Sequence, residues 1–457
     1  MSDVRTTDSE ELKARLKELE DASKLLSKQI GQAKKNKDSS ADQLIAQKKT
    51  LHSSEIAPIK AQLKAFNIEN QSQAKTKAVY VISAPNAYIV NDNPEPISSS
   101  LTITISSLED ETDLNKWNQY INKHPMGNIY YQSAFLTSIQ DSLGHRILLI
   151  KVSNKINNSL TAILPIIEQK STLFGHLWTS IALVNYGGVL ADSKGAEEKL
   201  LQFAETAAKN AAIKRLEIRG LYERPSQWTI NTEKASMWLK LPESHNSDEL
   251  LNSFKAKLRS QIKKGYTNQV SYKIGGLELI NDYYHVFARN MRDLGTPVYG
   301  KNLFQGLLRD LGDKARLVLI YFNGQPASAA FLIQNKHIME IPWASTIREY
   351  NQHNLNMVLY WEVLKFSCER NCSIFDFGRS SIDASTYQFK KQWGSTPIQH
   401  YWYSFEPSAS PDTDKTHSQA RAANSNNPKF QLLIAVWKKL PLWLANVIGP
   451  HIVKYIP

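Results

Sequence analysis

Residues 375–394 read FDFGRSSIDASTYQFKKQWG. The first part closes a strand, SIFDFG, whose apolar residues on both faces mark a buried position in a sheet. Asp376 stands between Phe375 and Phe377. A carboxylate there is either a base whose pKa burial has raised or the structural partner of Arg379. Gly378 permits a close backbone approach where the chain leaves the strand. Tyr387, Phe389 and Lys390 follow on a short segment ending at Trp393-Gly394. Lys390 reads either as a charge-stabilising cation or as a surface lysine beside Lys391.

Outward from this stretch the pattern is strands wrapped around one long helix. NLNMVLYWEVLKFSCERN (354–371) precedes it as a helix, and IQHYWYSF (398–405) follows as a strand. Upstream, ARLVLIYFNG and PASAAFLIQ form a hairpin turning at Asn323-Gly324, and HIMEIPWAS is a further strand. Residues 101–245 have the same order. Strands HRILLIKVS, SLTAILPIIE and HLWTSIALVNYGGVLAD lead to the helix AEEKLLQFAETAAKNAA, then IKRLEIRGL and ASMWLKLP return to strand. This predicts one α/β architecture used twice, over 101–245 and 246–406. NYGGV (185–189) reads as a tight backbone turn.

The flanking segments differ. In residues 1–82, Leu12, Leu16, Leu19, Ser23, Leu26, Ile30 and Ala33 step by four and three, the seam of a coiled coil. A polar break at 36–42 and a weaker stripe through Leu44, Leu51, Ile59, Leu63 and Phe66 complete an antiparallel helical hairpin, with Pro58 kinking its second arm. Residues 83–100 and 407–428 are Pro-, Ser- and Asn-rich linkers. The segment 429–457 is apolar and basic. It either packs on the second domain or lies at a membrane interface.

The chain has 457 residues, 55 Lys+Arg against 43 Asp+Glu, and two cysteines. The charge favours anionic partners: phosphates, nucleic acid or a lipid surface. Two cysteines exclude a disulfide framework, and Cys368 and Cys372 read as reduced packing residues. The scattered histidines mark no metal. The amino terminus has no signal-peptide core, and no window reaches the ~18–20 apolar residues of a membrane span. A cytoplasmic protein, with contact at the inner membrane face left open, is the expectation.

Four stretches taken together resemble the FemAB family: LRSQIKKG (258–265), FARNMRDLGTPVYGKNLF (287–304), residues 375–394 and WKKLPLWLANVIGPHIVKYIP (437–457). The similarity is to its exosortase- and PEP-CTERM-associated branch in exopolysaccharide-producing bacteria. It implies two tandem acyltransferase domains of the GNAT fold. It also implies transfer of an acyl or aminoacyl group to an amine or hydroxyl of a cell-envelope precursor. The stretch SKLLSKQIGQAKK (23–35) resembles the amino-terminal arm of seryl-tRNA synthetase. This leaves tRNA contact, self-association and pairing with another chain as readings of the hairpin.

Acyl transfer needs a deprotonated nucleophile and a stabilised oxyanion, without metal or covalent intermediate. The donor is an aminoacyl-tRNA, an acyl-CoA or an acyl carrier, and the acceptor a lipid- or nucleotide-linked saccharide. By the FK-x-x-W-G resemblance, Phe389 and Lys390 belong to the active site. Asp376 is the candidate base. Lys257 and Arg259, on a basic helix with Lys263 and Lys264, would hold phosphate, or else form a solvated helical face. Arg292 would clamp a carboxylate or phosphate, or else cap its own helix. Arg379, Tyr299 and Tyr387 complete the candidate binding set, the two tyrosines reading either as hydroxyls that position an acceptor or as partly buried packing groups. The rival class is a non-catalytic scaffold acting through the hairpin and the basic tail.

Overall fold

A computed structural model describes residues 2–59 except 37 and 39, residue 62, residues 100–407 except 110, 173, 225, 226 and 268, and residues 428–455. The chain divides into two compact units at residues 79/80.

In the first unit, α1 (Ser2–Lys35) and α2 (Ala41–Leu51) form a helical hairpin. The seam read from the sequence faces inward: Leu19 and Ala33 are buried, and Leu12, Leu16, Ser23, Leu26 and Ile30 are half-buried. Arg15 and Glu55 pair across the arms at 3.7 Å. The second arm widens into a π-turn at His52–Ile56, just before Pro58. Pro58 lacks an N–H and its ring crowds the carbonyl four residues back, so the regular ladder cannot continue through it. Leu63, Phe66 and residues 83–99 of the first linker lie outside the described residues, as do 408–427 of the second.

The second unit starts with β1 (Leu101–Ser106), α3 (Glu111–Lys123), α4 (Ser133–Leu143), β2 (Arg146–Asn154), β3 (Leu160–Ser171) and β4 (Gly175–Thr179). Then come β5 (Leu190–Ala191), α5 (Lys194–Asn210), β6 (Arg215–Gly220), β7 (Thr229–Asn231) and β8 (Lys234–Lys240). The second half holds α6 (Ser247–Ser253), α7 (Ala256–Gly265), β9 (Val270–Gly275), α8 (Ile280–Leu294), α9 (Lys301–Leu311), β10 (Ala315–Phe322), β11 (Gln325–Asn335) and β12 (Ile338–Thr346). It continues with α10 (Leu355–Glu369), β13 (Ile374–Ser381), α11 (Ser385–Lys391), β14 (Thr396–Gln399) and β15 (Tyr401–Phe405). Helices α12 (Pro428–Trp437) and α13 (Leu442–Val453) end the described chain.

Two sheets result, and they repeat one plan. Each has an antiparallel run of strands and then one parallel pair closed by a crossover helix: β4–α5–β6 in the first, β12–α10–β13 in the second. The Asn323-Gly324 turn has both residues at positive φ, the type I′ geometry the sequence called for. The halves also trade strands. β8, in the stretch read as the first half, pairs between β13 and β14 in the second sheet. β15, in the stretch read as the second half, pairs between β6 and β7 in the first. One hydrophobic core runs from α3 and α4 of the first half into α8, α9 and the second sheet. Ser138 donates to Asp310 across that joint at 2.6 Å.

Helices α12 and α13 pack on this unit. Arg292 donates to the Leu440 carbonyl at 2.9 Å, and the Lys454 carbonyl meets His145 at 2.8 Å. A side chain at Gly449 would stand 2.9 Å from the Val298 nitrogen, so the helix approaches that turn more closely than any Cβ allows.

Candidate active site

The parallel strands β12 and β13 part company. They pair only through Ile338–Ile374, Met339–Phe375 and Glu340–Asp376. Beyond that point β12 follows β11, ending at Thr346 opposite Ser328, while β13 follows β8, ending at Ser381 opposite Lys234. The sequence supplies the reason. Pro342 has no N–H to continue the ladder, and Gly378 takes φ +74 on the other strand. The strands therefore open as a V, with Glu340 and Asp376 facing each other in register at its apex.

Both carboxylates are buried. Glu340 accepts from the Tyr130 hydroxyl and, at 2.9 Å, from Asn185 Nδ2. Asp376 accepts from the Gly378 amide at 2.7 Å and from the Tyr186 hydroxyl at 3.3 Å. Burial raises the pKa of each, and the charge of Asp376 raises Glu340 further. Two adjacent carboxyls in such a site keep a proton where ordinary carboxylates have lost theirs.

Lys390 on α11 is also buried and donates to the carbonyls of Gly378 and Arg379 at 3.0 and 2.9 Å. Burial lowers its pKa, against the pull of Asp376. Its ammonium thus pins the bend that splays β13. Phe389 packs on Tyr360 and Trp393, and Tyr387 is buried in the same core. Among the described residues no ion pair joins Asp376 to Arg379. The Arg379 guanidinium lies instead over Trp402 at 4.9 Å, and Arg219 lies over the same ring at 4.2 Å. Tyr299 stands within the field of both arginines, and burial raises its hydroxyl to about 12. His400 is held to about 3 by burial and by those two charges, so its ring is neutral.

The structure gathers Asp376, Lys390, Arg379 and Tyr299 around this seam. Lys257 and Arg259 are on the exposed face of α7. Arg292 pairs with Asp293 and donates to the Leu440 carbonyl of the C-terminal segment, a contact that is neither a ligand clamp nor a cap of its own helix. The basic end of α7 does meet the start of α10: a Cβ at Gly265 would lie 3.0 Å from the Asn354 carbonyl. Asn354, before the first turn of α10, makes no side-chain cap.

Glu340, Tyr130, Asn185 and Tyr186 were not singled out from the sequence. Glu340 carried the same signal as Asp376, an acid between Met339 and Ile341 in an apolar strand. Asn185 and Tyr186 come from the NYGGV turn of the first half, and only the fold brings that turn to the second sheet.

Beside the network, Tyr186 and Trp238 form part of the wall of a cavity of about 120 Å³ between the halves. Cys368 and Cys372 are buried and unbridged.

Residues 252–391 match the acetyltransferase (GNAT) domain family, a span that includes the splayed strands, the carboxylate pair and Lys390. No curated protein matches the chain. Among solved structures, FemX is similar at 15% identity and a TM-score of 0.49, over 64% of this chain and 95% of that one. A tandem GNAT protein from the clavulanic acid biosynthesis pathway is similar at 11% identity and a TM-score of 0.45, over 68% and 99%. The N-myristoyltransferase of Saccharomyces cerevisiae gives 13% and 0.41, over 70% and 86%.

Proposed function

We propose that this chain, which carries a GNAT acetyltransferase domain over residues 252–391, transfers an acyl or aminoacyl group to an amine or hydroxyl of a cell-envelope or exopolysaccharide precursor. The observation that carries the reading is the open V of β12 and β13 with a buried carboxylate pair in register at its apex. An acyl carrier laid between the strands meets unpaired backbone there. The acceptor proton passes to the Tyr186 hydroxyl as that hydroxyl's own proton passes to Asp376. The freed electron pair attacks the acyl carbon. The oxyanion that forms collapses, and the carrier leaves as a thiol or ribose hydroxyl, taking back through Tyr186 the proton that Asp376 received. Lys390 supplies positive charge to this region. A phosphate of the donor sits at the start of α10, where Lys263 and Lys264 end α7.

The donor separates two forms of this reading. Purified protein is mixed with charged total tRNA, acyl-CoAs and a lipid-linked saccharide extract, with and without RNase. Product abolished by RNase establishes the aminoacyl-tRNA route and gives the hairpin an RNA role. Product that survives RNase establishes a thioester donor. No product with any donor, from wild type and Asp376→Asn alike, removes the transferase reading.

A second observation favours action at a membrane surface. Trp443, Leu433 and Val447 on α12 and α13 are 67, 63 and 59% exposed beside Lys438 and Lys439. Such a face suits the boundary of an anionic bilayer. Among the described residues no helix is long and apolar enough to cross a membrane.

A further inference from the structure

The cavity between the halves contains an unanswered donor. Arg224 is 7% exposed, and three of its contacts are accounted for. Its Nε pairs with Glu197, and its Nη2 donates to the Tyr222 hydroxyl and to the Val189 carbonyl. Among the described residues its Nη1 is buried with no hydrogen-bond partner, and Nε has the ion pair with Glu197 but no hydrogen bond of its own. A buried, charged N–H left unmet is destabilising, because it has given up water without gaining an acceptor. Two glycines keep the space before it open. A Cβ at Gly188 would stand 3.5 Å from Nη1, and one at Gly220 would stand 3.4 Å away. Both glycines line the cavity.

The rest of the wall fixes the kind of occupant. Arg219, Arg224 and Lys336 line the cavity, and among the described residues no Asp or Glu does. Glu197 and Glu217 hold the two arginines without lining it. Aromatic rings, Tyr186 and Trp238 among them, supply apolar surface. A cavity of about 120 Å³ holds about five non-hydrogen atoms, by comparison with the ~150 Å³ cavity that takes benzene.

We propose that this cavity is a binding site for a small carboxylate, one oxygen of which accepts from Arg224 Nη1 in the cradle of Gly188 and Gly220. Binding stands apart from the acyl-transfer reading. Only its use, as the anchoring end of an acceptor whose amine or hydroxyl meets Tyr186, rests on that reading.

The test is donor-free. Acetate, propionate and lactate are titrated into the full chain by ligand-observed NMR, each beside its neutral amide. The carboxylates should bind at least tenfold more tightly than the amides. Gly220→Ala, whose methyl meets Nη1 in ordinary contact, should abolish the difference without lowering Tm. Lys336→Glu, at an exposed position, should weaken carboxylate binding independently. Equal binding of acid and amide, or unchanged binding in both variants, overturns the proposal. Carboxylate binding by a chain inactive with every donor leaves this site standing and removes the transferase reading. Transfer without carboxylate binding does the reverse.

Discussion

At the scale of single residues, the Glu340–Asp376 pair makes opposite demands on stability and on activity. Both carboxyls hold a proton more tightly folded than unfolded, because burial disfavours their charge. That stabilisation is complete below the ordinary carboxylate range and fades as pH rises through the folded-state titration. Wild-type stability should therefore fall as pH rises above about 5, at up to ~1.4 kcal/mol per unit for one proton. Glu340→Gln should flatten that slope in urea melts taken across the range, and an unchanged slope would show that the pair is not its source. Turnover should run the other way, rising as the pair deprotonates. Asp376→Asn should cost about 10²-fold or more in turnover. Lys390 is a different case. From its motif it reads as a charge stabiliser, but its ammonium also satisfies two buried carbonyls. Lys390→Ala should lower stability by roughly 1–3 kcal/mol per orphaned carbonyl, besides reducing turnover by two or more decades. Equal turnover per folded molecule would confine Lys390 to holding the bend.

At the scale of elements, the splay of β12 and β13 depends on Gly378 at φ +74. Gly378→Ala has room for its methyl, 3.5 Å from Asn185 and from the Ile341 carbonyl, so its cost is backbone strain of about 1 kcal/mol or more. A thermal shift within error of zero would mean that the bend relaxes. Helices α12 and α13 carry the membrane prediction: Trp443→Ser should reduce co-sedimentation with anionic vesicles several-fold. Equal binding by wild type and variant would leave these helices as packing elements alone. Local elements were the most legible part of the sequence. The heptad steps of α1, the Asn323-Gly324 turn and the long helix α10 each carry their signal within a few residues. Asp376 was legible because an acid between two phenylalanines is conspicuous. Arg224 was not: its meaning comes from glycines at 188 and 220, and nothing local joins the three. Strand membership was equally hidden. β8 is buried along most of its length and β15 is mostly half-buried, and a strand's composition does not say which sheet it joins.

At the scale of the whole molecule, the two halves are not separable parts. β8 lies between β13 and β14, and β15 lies between β6 and β7. Residues 101–245 produced alone should expose the open side of β6 and the unpaired backbone of β8, and should aggregate or remain unfolded. Mixing them with residues 246–457 should recover a soluble complex with native near-ultraviolet dichroism. A monomeric, cooperatively melting first half would contradict the exchange. The traded strands also set a timetable for synthesis. When β6 leaves the ribosome, the strand that must cover it is nearly two hundred residues away by sequence number. During that interval a nascent first sheet has an exposed edge, open to a neighbouring chain on the same polysome. Gene fusion or domain shuffling that moved one half without the other would break both sheets at once. The two halves therefore have to be kept together for either sheet to be complete, however clearly the architecture repeats.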